Sequence, residues 1–234
     1  MKIGIIGAMD VEVNALREKL ENCKKTEINK LTFYEGTCGG KELVIVKSGI
    51  GKVNAALCVQ ILVDKFGVSK VINSGIAGAT GDGLKIYDFV ISTEAVYHDF
   101  DTQFFGYKLG QVPGMPERFT ADIALADAAE RAFGKTTLGS ASGGAHKVVR
   151  GLIASGDQFI AGGEKKDFIV SNFHPQCVEM EGCAIAHACY NNNVPFVIIR
   201  CMSDTADDSV KETYSEETAA ALSIEYLTAV IREV

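Results

Sequence analysis

The sequence has no long apolar run, and its first residues do not predict a leader segment. None of its apolar stretches approaches the ~20 consecutive residues that a membrane helix needs. Met1-Lys2 leads directly into an apolar stretch at 3–7 that is too short for a secretory signal. We therefore expect a cytoplasmic protein with no membrane partner.

Paired cysteines are also missing. The seven cysteines are an odd number without a Cys-x-x-Cys pair, and most lie in apolar stretches such as 56–59 and 198–201. This pattern favours reduced, buried thiols over a disulfide framework. Cys183 and His187 are four residues apart on a predicted helix, but no second pair completes a tetrahedral metal site. We expect neither a metal nor any other cofactor.

Basic residues are few and scattered. The chain has 23 lysines and arginines against 30 acidic residues, a net charge of −7. The one short basic cluster, Lys24-Lys25, has glutamates as neighbours. Binding of a polyanion requires clustered Lys and Arg, so we expect no nucleic-acid partner.

Glycine-rich phosphate motifs are incomplete. The segment 4–7 lacks the G-x-G-x-x-G spacing of a dinucleotide-binding loop. Around Gly51-Lys52, Val46 stands where a P-loop needs glycine, and Val53 stands where it needs serine or threonine. Neither motif predicts a nucleotide phosphate site.

The sequence does contain a regular alternation of strand and helix patterns. Strand patterns occur at 2–7, 31–37, 42–47, 71–73, 89–93, 146–154, 176–179 and 196–202. Helical patterns occur at 11–20, 53–66, 121–133, 164–172, 181–192 and 215–233. Strands separated by helices predict an α/β fold with a twisted, mainly parallel or mixed central sheet that helices cover on both faces. We expect one domain, residues 1–234.

Three carboxylates, Glu12, Glu181 and Asp204, follow three separate predicted strands. Each has a simple structural explanation: Glu12 and Glu181 suit the first turn of a helix, and Asp204 suits a helix N-cap or a turn. Ligands of such sheets bind beyond the carboxyl ends of the strands, where all three would meet. Displacing a group from a sugar carbon needs acids and bases around an oxocarbenium-like centre. Together they favour a site for such chemistry.

Eight segments reproduce the motifs of one known family in the same order along nearly the whole chain. They are 5–12, 48–56, 73–78, 105–107, 110–114, 155–160, 178–182 and 200–204. The sequence thus resembles the 5′-methylthioadenosine/S-adenosylhomocysteine nucleosidases, within the nucleoside phosphorylase superfamily. The resemblance implies a nucleoside phosphorylase-like fold and hydrolysis of the N-glycosidic bond of these nucleosides, with 5′-deoxyadenosine and aminofutalosine as further candidate substrates. It also implies a place in methionine salvage and methyl-cycle recycling.

The resemblance assigns catalytic roles to the three carboxylates. Asp204 would donate a proton to N7 of adenine, Glu181 would bind the ribose hydroxyls, and Glu12 would take a proton from the attacking water.

The resemblance also assigns substrate-binding residues. Phe159 would stack on adenine, the Ile160 backbone would read its edge, and Arg200 would lie near the water. The remaining positions are Met9, Ile50, Ile76, Ser155, Glu179, Met180, Ser203 and Tyr214. The family often carries a small hydroxyl residue where this chain has Ile76, so a hydrogen bond near the water site would be lost.

Residues 99–120 form a long, aromatic-rich connection that includes Phe104, Phe105 and Tyr107. Its length indicates a functional segment, and its apolar character indicates that another surface covers it. In the family that the sequence resembles, Phe105 and Pro113 lie near the 5′-tail pocket of the neighbouring subunit. We therefore expect a homodimer in which this segment closes the partner's site.

Two other functions remain open. A purine nucleoside phosphorylase would use phosphate as nucleophile, but Arg200 is the one arginine at a predicted strand end, and Glu12 would repel phosphate. A non-catalytic nucleoside-binding protein would have no reason to keep three carboxylates together. Hydrolysis by water is the favoured interpretation.

Overall fold

The computed structural model describes residues 1–139, 144–204, 206 and 215–234, without the side chains of residues 11, 12 and 216. Within these ranges the chain forms ten strands and six α-helices. The strands are β1 (Lys2–Gly7), β2 (Glu21–Ile28), β3 (Leu31–Cys38), β4 (Lys41–Lys47), β5 (Lys70–Ala79), β6 (Phe89–Tyr97), β7 (Phe119–Thr120), β8 (Val148–Ser155), β9 (Cys177–Glu179) and β10 (Phe196–Asp204). The helices are α1 (Asp10–Arg17), α2 (Lys52–Phe66), α3 (Ile123–Phe133), α4 (Gly163–Phe173), α5 (Gly182–Asn191) and α6 (Glu216–Glu233).

The central strands are buried on both faces. Every residue of β10 is buried, and so are the apolar residues 43–46 of β4. Continuous apolar runs of this kind are typical of parallel strands between two helical layers. The α/β class and the mixed central sheet that the sequence predicts are therefore confirmed.

The strands form one mixed sheet in the order β10-β6-β8-β9-β5-β1-β4-β3-β2. Strand β10 also pairs with β5, so β5, β10, β6, β8 and β9 close into a ring. Within the ring, β5–β10, β6–β8 and β8–β9 are parallel, and β10–β6 and β5–β9 are antiparallel. Beyond β5, the strands β1, β4, β3 and β2 extend the sheet to a free edge. The sequence pattern did not indicate this closure.

Helices cover the sheet on both sides, as expected. Helices α2 and α5 pack together over one face, where Cys58 and Leu62 of α2 share a core with Ile185 of α5. Helices α1, α3 and α6 pack together on the other face, in a core that contains Leu16 and Leu227. Helix α4 covers a third, smaller cluster. Each side of the sheet therefore has its own apolar layer.

Several elements differ from the prediction: β7 was not predicted, β6 continues to Tyr97, and α1 ends at Arg17, but β2 and β5 differ most. Strand β2 was not predicted because most of its residues are charged or polar and exposed, as suits an edge strand. Strand β5 was predicted only over 71–73, yet it continues through the glycine-rich segment 75–78. An added Cβ on Gly78 would lie 2.9 Å from Asp204 Oδ1, so glycine permits the close pairing of β5 and β10 there.

All seven cysteines are free thiols, and six of them are buried. Burial raises the pKa of Cys58 and Cys177 well above the ordinary value and that of Cys201 to about 12. These thiols act as small apolar side chains, as the sequence predicts; Cys23 is the exposed exception. No helix in the described part of the chain is long and apolar enough to cross a bilayer.

Candidate active site

A cavity of about 180 Å³ opens where the carboxyl ends of several strands converge. Residues 8–9 follow β1, Ile50 follows β4, and 158–160 follow β8. The ends of β5, β9 and β10 supply the rest of the wall. This is the location that the strand-end argument predicts for a ligand.

Most of the predicted site residues line this cavity. They are Met9, Ile50, Ile76, Phe159, Ile160, Glu179, Met180, Glu181, Ser203 and Asp204. Ser155 and Arg200 are buried among the strands and are not part of the lining. Glu12 lies in the first turn of α1, but its side chain is outside the description, and so is the whole of Tyr214.

Asp204 is buried at the end of β10 with both carboxyl oxygens engaged. Its Oδ1 accepts a hydrogen bond from the Ala206 N–H at 2.7 Å, and its Oδ2 lies 2.6 Å from the Ser203 hydroxyl. That hydroxyl is also 3.2 Å from the Ala77 carbonyl oxygen. Ser203 has one proton, so it donates either to an ionised Asp204 or to Ala77 while accepting from a protonated Asp204. Both protonation states of Asp204 therefore have a hydrogen-bonding arrangement.

Glu181 precedes α5, and its carboxylate faces the start of α2. Its Oε1 accepts from the Gly51 N–H at 2.8 Å, and its Oε2 lies 4.0 Å from Arg200 Nη2. The first N–H groups of a helix lack partners within the helix, and the helix dipole favours a negative charge there. These contacts stabilise a negative charge on Glu181 at the cavity wall.

Glu179 is the centre of a buried network beneath the cavity. It accepts hydrogen bonds from the Ser155 hydroxyl, from Arg200, and from the N–H groups of Glu181 at 3.1 Å and Gly182 at 2.7 Å. The Ser155 hydroxyl oxygen accepts in turn from the Cys183 N–H at 2.7 Å. The network fixes the backbone that carries Glu181. Direct contact of Glu179 or Ser155 with a substrate stays a prediction.

Arg200 connects this network to the neighbouring strands. Its Nη2 also donates to Asn73 Oδ1 at 2.6 Å, and Asn73 Nδ2 donates to the Ile6 carbonyl oxygen at 2.9 Å. The guanidinium, 1% exposed, lies between the two carboxylates Glu179 and Glu181. A buried charge that is paired and hydrogen-bonded in this way is stable, and its removal would leave the carboxylates without compensation.

The predicted partner-facing residues lie outside the cavity. Phe105 is 73% exposed within a single 3-10 turn, Gln103–Phe105, and Pro113 is also exposed. Phe104 is 93% exposed and packs edge-to-face on Phe105 at 5.3 Å. The role of this exposed aromatic pair in contact with a second subunit stays a prediction.

Sequence reasoning missed several residues at the site. Ala8, Ala77, Gly78, Gln158 and Val178 also line the cavity. They stand beside predicted residues at the strand ends and inside the family-motif segments, and these two positions were the signals that could have indicated them. In the described ranges, no group of three or more His, Cys, Asp or Glu residues is placed to hold a metal ion.

Comparison with known proteins gives consistent matches. The profile of the phosphorylase superfamily matches residues 2–232. The 5′-methylthioadenosine/S-adenosylhomocysteine nucleosidase of Anoxybacillus flavithermus is 43% identical over 100% of this chain and 99% of its own. The nucleosidase of that name from Colwellia psychrerythraea, solved with adenine, superposes with a TM-score of 0.93 at 43% identity, over 100% of this chain and 95% of its own. The futalosine hydrolase of Helicobacter pylori superposes with a TM-score of 0.90 at 32% identity, over 100% and 98%.

Proposed function

The chain belongs to the 5′-methylthioadenosine/S-adenosylhomocysteine nucleosidase family of the phosphorylase superfamily, and we propose that it hydrolyses the N-glycosidic bond of these two nucleosides. One observation carries the proposal. Two carboxyl side chains, those of Asp204 and Glu181, line a single cavity together with the aromatic ring of Phe159. Such a cavity fits a base, a sugar and the bond between them.

Asp204 supplies the proton for the leaving group. As the C1′–N9 bond breaks, its electron pair moves into adenine and N7 takes the proton, so adenine leaves as a neutral molecule. The Ser203 hydroxyl, 2.6 Å from Asp204, can bond the carboxyl group before and after this transfer. Positioned general acids of this kind contribute roughly 10²–10⁴-fold to rate.

Glu181 and the buried network act on the sugar. The Glu181 carboxylate accepts from the ribose hydroxyls while the Gly51 N–H fixes its orientation. Glu179, Glu181 and Arg200 together leave the floor of the cavity negative, which favours the positive charge that develops on the ribose ring. Glu12 takes one proton from water, and the water oxygen bonds to C1′.

Water is the nucleophile and phosphate is not. Arg200, the arginine at the carboxyl end of a strand, is buried among the strands with its Nη2 bonded to Glu179 and Asn73. A guanidinium held in this way does not offer the fork that a phosphate dianion needs. The relatives compared above are named as nucleosidases and hydrolases, in agreement with this assignment.

The 5′ substituent is methylthio or homocysteinyl. Met9 and Ile50 give the ribose side of the cavity an apolar wall, which suits a thioether better than a charged group. Because a futalosine hydrolase has the same fold at 32% identity, aminofutalosine is the second candidate substrate, together with 5′-deoxyadenosine. The reaction would serve methionine salvage and recycling of the methyl cycle.

The protein acts in the cytoplasm as a homodimer of one catalytic domain, residues 1–234. Its free, buried thiols suit a reducing compartment. The exposed Phe105 and Pro113 would reach the partner's 5′-tail pocket, and Val53 and Leu57 of α2, exposed by 70% and 58%, would lie in the same interface. A second copy would cover this apolar surface.

The direct test is product identification. The protein is incubated with 5′-methylthioadenosine, S-adenosylhomocysteine, 5′-deoxyadenosine or aminofutalosine, with and without phosphate. Adenine and free 5′-methylthioribose, formed at a rate independent of phosphate, support the proposal. Formation of a ribose 1-phosphate, or dependence of the rate on phosphate, contradicts it.

A further inference from the structure

The first residues of α2 hold two carboxylates that belong to different parts of the chain. The Gly51 N–H donates to Glu181, and the next N–H, that of Lys52, donates to Asp157 Oδ1 at 2.8 Å. No side chain of α2's own N-terminus caps the helix. Asp157 belongs to the loop that carries Phe159, residues 156–160, which we term the base loop. The ribose carboxylate and the base loop are therefore anchored on adjacent peptide groups.

A second set of contacts closes a ring around this anchor. Lys52 Nζ lies 2.7 Å from each carboxyl oxygen of Asp99 and 3.7 Å from Asp157 Oδ2. The Asp157 N–H donates to Asp99 Oδ2 at 2.8 Å. The start of α2, the end of β6 and the base loop are thus joined pairwise by Lys52, Asp99 and Asp157. We call these three residues the base-loop lock.

The ion pair between Lys52 and Asp99 is largely shielded from solvent. The side chains of Asp99 and Lys52 are 11% and 22% exposed, and that of Asp157 is 48% exposed. Burial alone would raise the pKa of Asp99, but the hydrogen bonds from Lys52 and from the Asp157 N–H outweigh it and lower that pKa. Asp99 is ionised at neutral pH, so the central ion pair is intact under the conditions of catalysis.

Glycines allow the backbone to approach the lock closely. Gly51 has φ +97, and a Cβ added there would lie 3.1 Å from Asp157 Oδ1. A Cβ on Gly156, the first residue of the base loop, would lie 2.3 Å from the His98 ring and 2.9 Å from Asp99 Cγ. The base loop therefore lies close to the residues just after β6 through Gly156, its first residue. Asp157, the next residue, is hydrogen-bonded to the start of α2. Phe159 remains 74% exposed beyond these contacts.

We propose that Lys52, Asp99 and Asp157 are positioning residues that hold the base loop in register with Glu181, so that adenine and ribose meet Asp204 in the reactive alignment. This inference rests on the proposed function, since it assigns adenine to the base loop. None of the three needs to contact the reacting atoms. Their effect is on how well the base and the sugar are aligned, and misplacement by about 1 Å can cost 10²-fold in rate.

The main experiment compares Lys52→Met with the matched control Lys135→Met. Lys135 forms an ion pair with Glu233 at 2.6 Å, in contact with neither the lock nor the cavity. We expect kcat/KM for 5′-methylthioadenosine to fall by about 10- to 100-fold in Lys52→Met and by less than about twofold in the control. The loss should appear in kcat as well as in KM, because the lock both orders the base loop and aligns base and sugar for the reaction. The Kd of adenine alone, measured by calorimetry, should rise with KM.

Two further variants separate positioning from general damage. Lys52→Arg retains a cation that reaches Asp99, so it should recover most of kcat/KM. Asp99→Asn combined with Lys52→Met should lose little more than either single variant, since both break the same contact. Unchanged kcat/KM and adenine Kd in Lys52→Met overturn the proposal. Additive losses of kcat/KM in the double variant also overturn it. The same holds if kcat/KM falls in Lys52→Met and in the control Lys135→Met alike, in proportion to a lower unfolding temperature.

A fluorescence measurement tests the lock without any turnover. The chain has no tryptophan, so Phe159→Trp adds a single reporter on the base loop. Removal of Lys52 in this background should increase quenching by acrylamide, whereas removal of Lys135 should not. Equal quenching in both variants contradicts the lock. If the wild-type protein releases adenine from no nucleoside, the proposed function fails, and the quenching result still decides whether the lock holds the loop.

Discussion

The N–H of Gly51 donates to the carboxylate of Glu181 across 2.8 Å, although 130 positions separate the two residues in the chain. The contact places the positive end of a 15-residue helix against the carboxylate to which we assign ribose binding. The helix N-terminus thus contributes to stabilising a negative charge on Glu181. The cavity keeps its space for the nucleoside, and the buried Arg200 stays beneath it.

Replacement of Asp204 by asparagine tests the acid. Asparagine keeps the size and a hydrogen-bond donor for N7 but has no proton to transfer. We expect kcat to fall by several hundred-fold or more, within the roughly 10²–10⁴-fold of a general acid. The Kd of a non-hydrolysable analogue should change much less, because the interaction is made mainly in the transition state. Asp127→Asn, at a surface ion pair with Arg150, is the control. A folded Asp204→Asn variant with normal kcat would make Asp204 a structural residue.

Replacement of Glu12 by glutamine tests the base. The amide keeps the shape of the side chain but cannot accept a proton from water, so turnover should drop by about 10²–10⁴-fold. Inhibitor binding should remain measurable. The control is Glu18→Gln, an exposed position shortly after α1. If Glu12→Gln and Glu18→Gln are equally active, Glu12 is not the base and acts only as a favourable charge in the first turn of α1.

Gly78→Ala tests the close approach of β5 to the acid. The new methyl group would lie 2.9 Å from Asp204 Oδ1 and 3.1 Å from Ala206 Cβ, so the carboxyl group has to move. A displacement of this size should lower kcat by about 10- to 100-fold. At Gly134, which has φ −61, an added Cβ meets its nearest atom at 3.6 Å. Gly134→Ala should retain full activity and stability, and a similar loss in both variants would exclude a specific effect on Asp204.

Two residues of the site show how much of it could be predicted from the sequence alone. Glu181 and Asp204 were predicted to meet because carboxyl ends of neighbouring strands converge in this fold class, and both line the cavity. Helix α2 was predicted from its apolar period and from Gly67, which has φ 62 at the helix end.

Other features depend on contacts between distant segments that no local pattern encodes. The bond between Lys52 and Asp157 joins residues 105 positions apart, and the ring closes through pairing of β10 with both β5 and β6. The sequence does not predict a P-loop at Gly51-Lys52, and the partners of these two N–H groups, Glu181 and Asp157, could not be predicted from composition or spacing.

The stability of the protein should depend on pH below neutrality through His98. Burial lowers the pKa of this imidazole and outweighs Asp99 and Glu179, which favour its charged form, while Lys52 opposes that form. The unfolded chain therefore binds the proton more readily than the folded protein. The contribution of neutral His98 to the free energy of unfolding is complete above the pKa of about 6.5 that this group has in the unfolded chain. It is lost as pH falls towards the lower pKa of the folded protein.

Chemical denaturation between pH 7 and 5 measures this effect. Each proton taken up on unfolding gives a slope of about 1.4 kcal/mol per pH unit. His187, whose pKa burial also lowers, contributes in the same direction, so His98→Gln should reduce the slope without removing it. An identical slope in the variant would show that His98 does not contribute.

The predicted homodimer is tested by light scattering. A mass near twice 25.0 kDa is expected at assay concentrations. A charge placed in the apolar surface, as in Leu57→Lys, should shift the protein towards monomer and lower its activity together, because in the proposed dimer Phe105 of one subunit closes the 5′-tail pocket of the other. A fully active monomer at the same concentration would contradict both statements.

The late position of β10 in the chain has a consequence for biosynthesis. This strand pairs with β5 and with β6, and it carries Arg200, Ser203 and Asp204. While a ribosome has made only the residues before 196, strands β5 and β6 lack the partner that closes the ring, and Asp204, the proposed acid, has not been made. A nascent chain that ends before β10 is therefore expected to cleave no nucleoside.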